Sequence, residues 1–463
     1  MIMRTPIKVA SGRWALLLVT GMALLMGPGF FFPGAMAESH HPHDNQRYLV
    51  YNIWTWNHEA EGFAAFKAEA AMARQVGFNA LKIHILWSLC ETQPGVYDFS
   101  ALDARLDYVW RQLNLPVALY IDLTRQPPRQ GPDAVVGPEH WQRDQSGRLA
   151  MSWTGRPMIA FASAPAVSQA TAFVKALVRH CESRRDAGRV FFYEPVFSPY
   201  AEIEYFPDGV YDYSIPARDR FRAWLATRYG DVESLSRTWA TPHTDFAAIE
   251  PPPDFSGPIG RDWYRFRHAM LKQAIDSVIG AIKEAAPDRP VSLRFGSVFD
   301  AAMRHRATAW FPDLCDAADI VFVDDAPHYD HRWSMDLLRG SLPHKRIGNE
   351  VDGPNNADDA VYAALISQSF EHGAQFVTVA NWNAASLEER RSLFENMAKK
   401  WLSSPVTQTP PNTPTLIVDS DTVFSVGYDA AQRQHNEMLS KGVPMVNVVM
   451  KMAEAANKVF RPL

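Results

Sequence analysis

The chain has 463 residues, 47% of them hydrophobic, a formal charge of -5 and a pI near 6.3. That is enough to bury a large core, and the slightly acidic balance gives no basis for a nucleic-acid partner. Three cysteines, Cys90, Cys181 and Cys315, are too few for a disulfide scaffold, and no Cys/His spacing suggests a metal or cofactor site.

The chain opens with the layout of an export signal. Arg4, Lys8 and Arg13 precede an apolar run from Ala15 to Met26, and Ala35-Met-Ala37 has the small-x-small form of a cleavage site. Cleavage after Ala37 is expected, giving a signal peptide over 1–37, a linker over 38–46 and a periplasmic or secreted protein with no remaining membrane span. The competing reading is an uncleaved anchor, although Gly27, Pro28, Gly29 and Pro33 interrupt the run. His40-His-Pro-His43 reads as solvated linker.

Strand and helix patterns then alternate. Apolar runs at Arg47–Trp54, Ala80–Trp87, Pro116–Asp122, Arg189–Phe197, Pro290–Gly296, Asp319–Asp325, Lys345–Asn349 and Ala374–Trp382 predict eight buried parallel strands. Helical patterns cover Glu59–Val76, a segment from Ser100 whose Ser100 and Asp103 have capping-box spacing, Pro165–Ser183, Asp358–His372 and Leu387–Leu402. Between the fourth and fifth strands, helices are expected at Ala217–Tyr229, Val232–Trp239 and Asp262–Ala286. The stretch from Arg125 to Ser163 reads as a long loop of lid or substrate-surface type. The fold class is therefore α/β, a (β/α)8 TIM barrel over 47–403 with helical insertions. Residues 404–463 read as a proline-rich linker and a short C-terminal α/β appendage.

In such a barrel, acids at strand ends gather at one mouth. Glu202 follows the fourth strand, with Glu204 two residues on and Tyr200 and Tyr205 flanking it. Glu350 follows the seventh, with Asp352 as its rival. A pair of facing carboxyls is what glycoside cleavage needs: an acid on the leaving oxygen and a carboxylate on the other face of the sugar. Glu202 and Glu350 are the expected catalytic pair. Glu204 is an alternative to Glu202, or an ion-pair partner. Glu194 is expected to be buried or paired. Asp122, Arg294, Asp325 and Tyr329 leave other strands as candidate substrate-binding residues, with Tyr200 and Glu204. Trp54, Trp87 and Trp382 stand at three strand ends, where each would either floor a sugar or pack the core. The expected partner is a carbohydrate; the alternative is a barrel that binds one without cleaving it.

Trp87 to Asp103, read as Trp-x3-Glu-x3-Gly-x-Tyr-x-Phe-x2-Leu-Asp, resembles the segment after the second strand in family 42 β-galactosidases. Phe221 to Gly230, with Leu235 and Trp239, resembles the helix after that family's acid/base strand. The resemblance implies a retaining clan A glycosidase, with its acid/base at Glu202 and its nucleophile at Glu350. Ala201 stands where the family has Asn before the acid/base, an Asn that contacts the sugar 2-hydroxyl. Ser198 to Tyr205 is also similar to the Gly-Pro-Ala-Gly-Glu-Leu-Arg-Tyr segment of the inverting β-amylases, which again places the acid at Glu202.

Overall fold

A computed structural model describes residues 45–54, 60–124, 137–152, 155–197, 200–351, 358–380 and 382–452. The expected signal peptide, His40 to His43, the end of the appendage from 453 and Asp352 lie outside these residues. So does 125–136, the first part of the expected long loop.

Eight strands form one parallel sheet: β1 (Tyr48–Ile53), β2 (Ala80–Leu86), β3 (Val117–Asp122), β4 (Val190–Val196), β5 (Ser292–Gly296), β6 (Ile320–Asp325), β7 (Arg346–Val351) and β8 (Phe376–Val379). Their order is β4-β3-β2-β1-β8-β7-β6-β5, so the two sheet edges are consecutive strands. A bridge from Tyr193 to Val291 joins those edges. Further along, the Ile203 amide donates to the Arg294 carbonyl at 2.8 Å, which carries the closure towards the mouth. The sheet is a nearly closed barrel, ringed by helices that include Ala60–Gln75, Ala164–Glu182, Gly257–Ala285 and Asp359–Glu371.

The period-two alternation of the strands sorts their side chains. Leu49, Tyr51, Leu81, Ile83 and Ile85 face out into the main core against the helices. The inward positions stack in layers. Tyr48, Val50, Ala80, Ala118, Phe192, Ile320, Phe322 and Phe376 make a hydrophobic floor. Gly348 belongs to this level because a Cβ there would meet the Phe322 ring at 2.3 Å. One step up, Asn52, Lys82, Glu194, Arg294, Glu350 and Thr378 make a buried polar layer.

Differences from expectation include one helix start and one whole helix. The helix Ser100–Tyr108 is not started by a capping box: Asp98 accepts the Ser100 amide at 2.9 Å, and Asp103 turns to Arg184 and His180. A π-helical turn, Val109–Leu113, continues it. The helix His331–Ser341, between β6 and β7, has no counterpart in the pattern reading. It is amphipathic but short, and His, Ser and Asp occupy three of its buried positions.

Strands Thr415–Asp419 and Asn447–Lys451, here β9 and β10, pair in parallel. They pack on helix His331–Ser341, where Gly340 lets the Val448 backbone approach so closely that a Cβ would stand 2.4 Å from its carbonyl oxygen. All three cysteines are buried free thiols. Among the described residues, no helix is long and apolar enough to cross a membrane.

Candidate active site

The polar layer opens into a cavity of about 470 Å³ at the C-terminal ends of the strands, a volume suited to a small ligand. Its lining includes Glu202, Glu350, Trp54, Tyr200, Asp324 and Arg306. The two acids therefore share one hollow although they are far apart in sequence.

Each acid is held differently. Glu350 lies within β7, not beyond its end, and its inward parity puts the carboxylate in the polar layer. Oε2 accepts from Asn52 Nδ2 at 3.2 Å and Thr378 Oγ1 at 2.8 Å. The Arg294 guanidinium contacts the same oxygen, and Lys82 Nζ stands 3.6 Å from it. Burial by itself would raise its pKa, but the charges of Arg294 and then Lys82 outweigh burial and hold the carboxyl below the usual glutamate value.

Glu202 lies past the end of β4, in irregular backbone. The preceding residue, Ala201, has φ 97°, a left-handed conformation that costs a non-glycine residue about 1–3 kcal/mol. Arg294 Nε donates to the Ala201 carbonyl at 3.2 Å, and the Tyr200 amide donates to the Glu202 carboxylate at 3.1 Å. Glu202 is 6% exposed. Burial raises its pKa, the Arg294 and Arg306 charges oppose that without reversing it, and Glu350 adds to the rise. Two carboxyls facing one cavity are thus pushed apart, one towards the protonated form and one towards the ionised form.

Glu204 is buried behind this pair. It accepts the Gly296 amide at 3.0 Å and lies 2.9 Å from Arg306, which also reaches Asp300 at 3.0 Å. Burial raises Glu204 to about 8 against the pull of Arg306. Arg306 fits there because Gly296 has no side chain; a Cβ would stand 2.7 Å from the guanidinium.

The other expected binding residues divide. Trp54, Tyr200 and Tyr329 line the cavity, with Tyr200 45% exposed and its hydroxyl donating to Asp208 at 3.2 Å. Arg294 reaches the site through Glu350 and lies 3.6 Å from Asp324. Asp325 turns away from the cavity and accepts from Ser297 Oγ at 2.8 Å; its neighbour Asp324 is the lining acid. Asp122 holds His84 at 3.2 Å and the Thr124 amide at 2.8 Å instead of reaching the lining. Trp87 and Trp382 are core residues: Trp87 stacks on Phe173 and bonds Glu91, and Trp382 packs against Tyr362 and Phe394. Trp87 follows β2 with outward parity; Trp382 has the inward parity of Phe376 and Thr378 yet packs in the core all the same.

Sequence reasoning did not single out Asp300, Arg306 or Lys82. Lys82 carried a usable signal, a cation within an otherwise apolar strand. Asp300 sits in a turn after β5 and Arg306 ends the short helix Met303–Arg306, a stretch whose path no local pattern specifies. Among the described residues, no group of His, Cys, Asp and Glu is arranged to hold a metal ion.

The model of glycoside hydrolase family 42, described as beta-galactosidase, matches residues 50–341. The beta-galactosidase bgaB of Geobacillus kaustophilus is 24% identical over 246 residues, 50% of this chain and 34% of that protein. The beta-galactosidase Bga of Halorubrum lacusprofundi is 25% identical over 301 residues, 61% of this chain and 39% of that one. The chain thus spans well under half the length of these relatives. Among solved structures, the H. lacusprofundi beta-galactosidase superposes with a TM-score of 0.69 at 17% identity, covering 87% of this chain and 66% of that chain. The catalytic domain of the Paenibacillus polymyxa beta-amylase gives 0.61 at 12% identity, covering 77% and 99%. At these identities the structural likeness speaks to the barrel fold.

Proposed function

Because the chain belongs to glycoside hydrolase family 42, the beta-galactosidase family, we propose that it cleaves O-glycosidic bonds of an oligo- or polysaccharide by a retaining mechanism. The observation that carries this reading is the opposed setting of Glu202 and Glu350 across one cavity. In the first step Glu202 gives its proton to the glycosidic oxygen while a Glu350 carboxylate oxygen bonds to the anomeric carbon. The C–O bond breaks and the alcohol leaves. In the second step water gives a proton to Glu202, its oxygen attacks the anomeric carbon, and Glu350 is released. The exposed ring of Tyr200 and the ring of Trp54 offer apolar surface to the sugar.

A β-galactoside is the first substrate to try, on the strength of the family. The chain has Ala201 in place of the Asn that contacts the 2-hydroxyl in that family, which favours a different sugar or linkage. The same substitution supports a second reading, a barrel that binds carbohydrate without cleaving it. A glycan-library hydrolysis screen with NMR detection of the first-formed anomer separates these outcomes. Retained configuration is expected. An inverted product would put Glu350 in the role of base, and binding without any hydrolysis would favour the second reading. We further propose export through the leader at 1–37. N-terminal sequencing of the protein from a cell-envelope or medium fraction should start after Ala37, and an intact leader would refute it.

A further inference from the structure

Beneath the cavity lies a third carboxylate that neither step uses. Glu194, on β4, is fully buried. Lys82 Nζ lies 2.8 Å from its Oε1, Ser292 Oγ donates to its Oε2 at 2.8 Å, and Arg294 Nε stands 3.6 Å from Oε1. Lys82 and Arg294 are the same two cations that reach Glu350. Two buried cations are therefore divided between two buried carboxylates, and the quartet is formally neutral.

Division has a chemical consequence. A carboxylate facing two unshared cations in a buried setting is strongly ionised but a poor nucleophile, because its lone pairs are committed. A carboxylate facing one cation fewer is harder to ionise. We propose that Lys82 and Glu194 are positioning residues for Glu350: Lys82 holds its negative charge, and Glu194 draws both cations off it far enough to leave it reactive. This rests on the reading of Glu350 as the nucleophile.

Around Glu350 stand Asn52 on β1, Lys82 on β2, Arg294 on β5 and Thr378 on β8, with Glu202 across the cavity; around Arg294 stand Tyr120 on β3, Glu194 on β4 and Asp324 on β6. Asn52 and Thr378 carry no charge, and burial pushes Tyr120 far above its ordinary value. Asp324 and Glu202 are unchanged in the variants below, so the sign of each shift follows from the charge removed.

The test compares Lys82→Met, Glu194→Gln and the double variant with wild type. Two readouts are used: the pH profile of kcat/KM on a nitrophenyl β-galactoside, and a ¹³C-carboxyl NMR titration in which the Glu350 signal is the one lost in Glu350→Gln. In Lys82→Met the acid limb and the Glu350 titration should move up by about one pH unit, the size of a single near-charge effect. In Glu194→Gln both should move down by a similar amount. The double variant, which again balances its remaining charges, should return towards wild type. Shifts of the same sign in the two single variants, or no shift in either, would overturn the proposal. If Lys82→Met does not fold, the near-isosteric Glu194→Gln decides by the direction of its shift. A wild-type protein without turnover would sink the hydrolase reading, and the NMR titration would still decide this one.

Discussion

Asn52, Thr378 and Arg294 converge on one oxygen of Glu350 with the Lys82 charge 3.6 Å away, whereas Glu202 accepts one backbone amide. That asymmetry supports the roles proposed for them. Glu202→Gln removes the transferable proton and Glu350→Gln removes the attacking charge, so each should lower kcat/KM at least ~10³-fold, within or beyond the range of a lost acid–base group. Circular dichroism should stay that of wild type, and full activity in either variant would refute the pair. The pH profile follows from the same contacts. The proposed mechanism needs Glu350 ionised and Glu202 protonated. Glu350 lies below the ordinary glutamate value and Glu202 above it. The rate should therefore rise with pH along a limb below that value, and fall along a limb above it as Glu202 loses its proton. A profile with both limbs on one side of that value would contradict the assignment.

At the scale of single elements, strand parity accounts for most of the site. On β2, Lys82 and His84 face in and Leu81, Ile83 and Ile85 face out, so the polar side chains of the strand end up inside the barrel. On β7 the same alternation puts Gly348 against Phe322 and Glu350 one level above it. Gly348→Ala would drive a methyl into the Phe322 ring and disturb the floor on which the polar layer rests. A loss of about 1–3 kcal/mol is expected, the usual cost of overpacking a filled core. It is measured as a fall in Tm and in the denaturant midpoint with unchanged far-UV circular dichroism. An unchanged Tm would show that the floor has slack which the 2.3 Å approach does not suggest. The segment at Glu202 breaks the rule of regular elements: its backbone is irregular and Ala201 is left-handed, yet Arg294 and the Tyr200 amide hold it.

At the scale of the whole molecule, one buried acid ties the barrel's outer layer to the C-terminal segment. Asp336, on helix His331–Ser341, lies 2.9 Å from His372 Nδ1, 2.9 Å from His435 Nε2 and 2.7 Å from Arg339, and it accepts the Val446 amide at 3.0 Å. Burial opposes its charge, but the bonds from His372 and His435 and the Arg339 charge prevail and hold it at about 2. Because the folded value lies below the unfolded one, the stabilisation is present above about pH 4 and is lost as pH falls towards 2. A shift of this size contributes roughly 2 kcal/mol. Asp336→Asn should lower Tm at neutral pH and flatten its fall across that acid window. A wild-type dependence retained in the variant would place the acid sensitivity elsewhere.

The eight-strand alternation is written in local sequence, since each strand is an apolar run closed by turn or helix signals and alternating strand–helix units make a parallel sheet. So is the placing of acids at or near the ends of the fourth and seventh strands, which is why Glu202 and Glu350 were legible. Which side chains meet was set only by the folded barrel. Lys82, Glu194, Arg294 and Glu350 come from four strands spread over most of it, and the register of one strand against the next brings them level. The same holds for Asp300 and Arg306, set after β5 in a turn and a short helix, and for Trp382, which packs in the core although its parity matches that of the inward Thr378. Local pattern encodes the face a side chain takes; closure of the cylinder encodes its neighbours, because those contacts form only when residues distant in the chain are already in place.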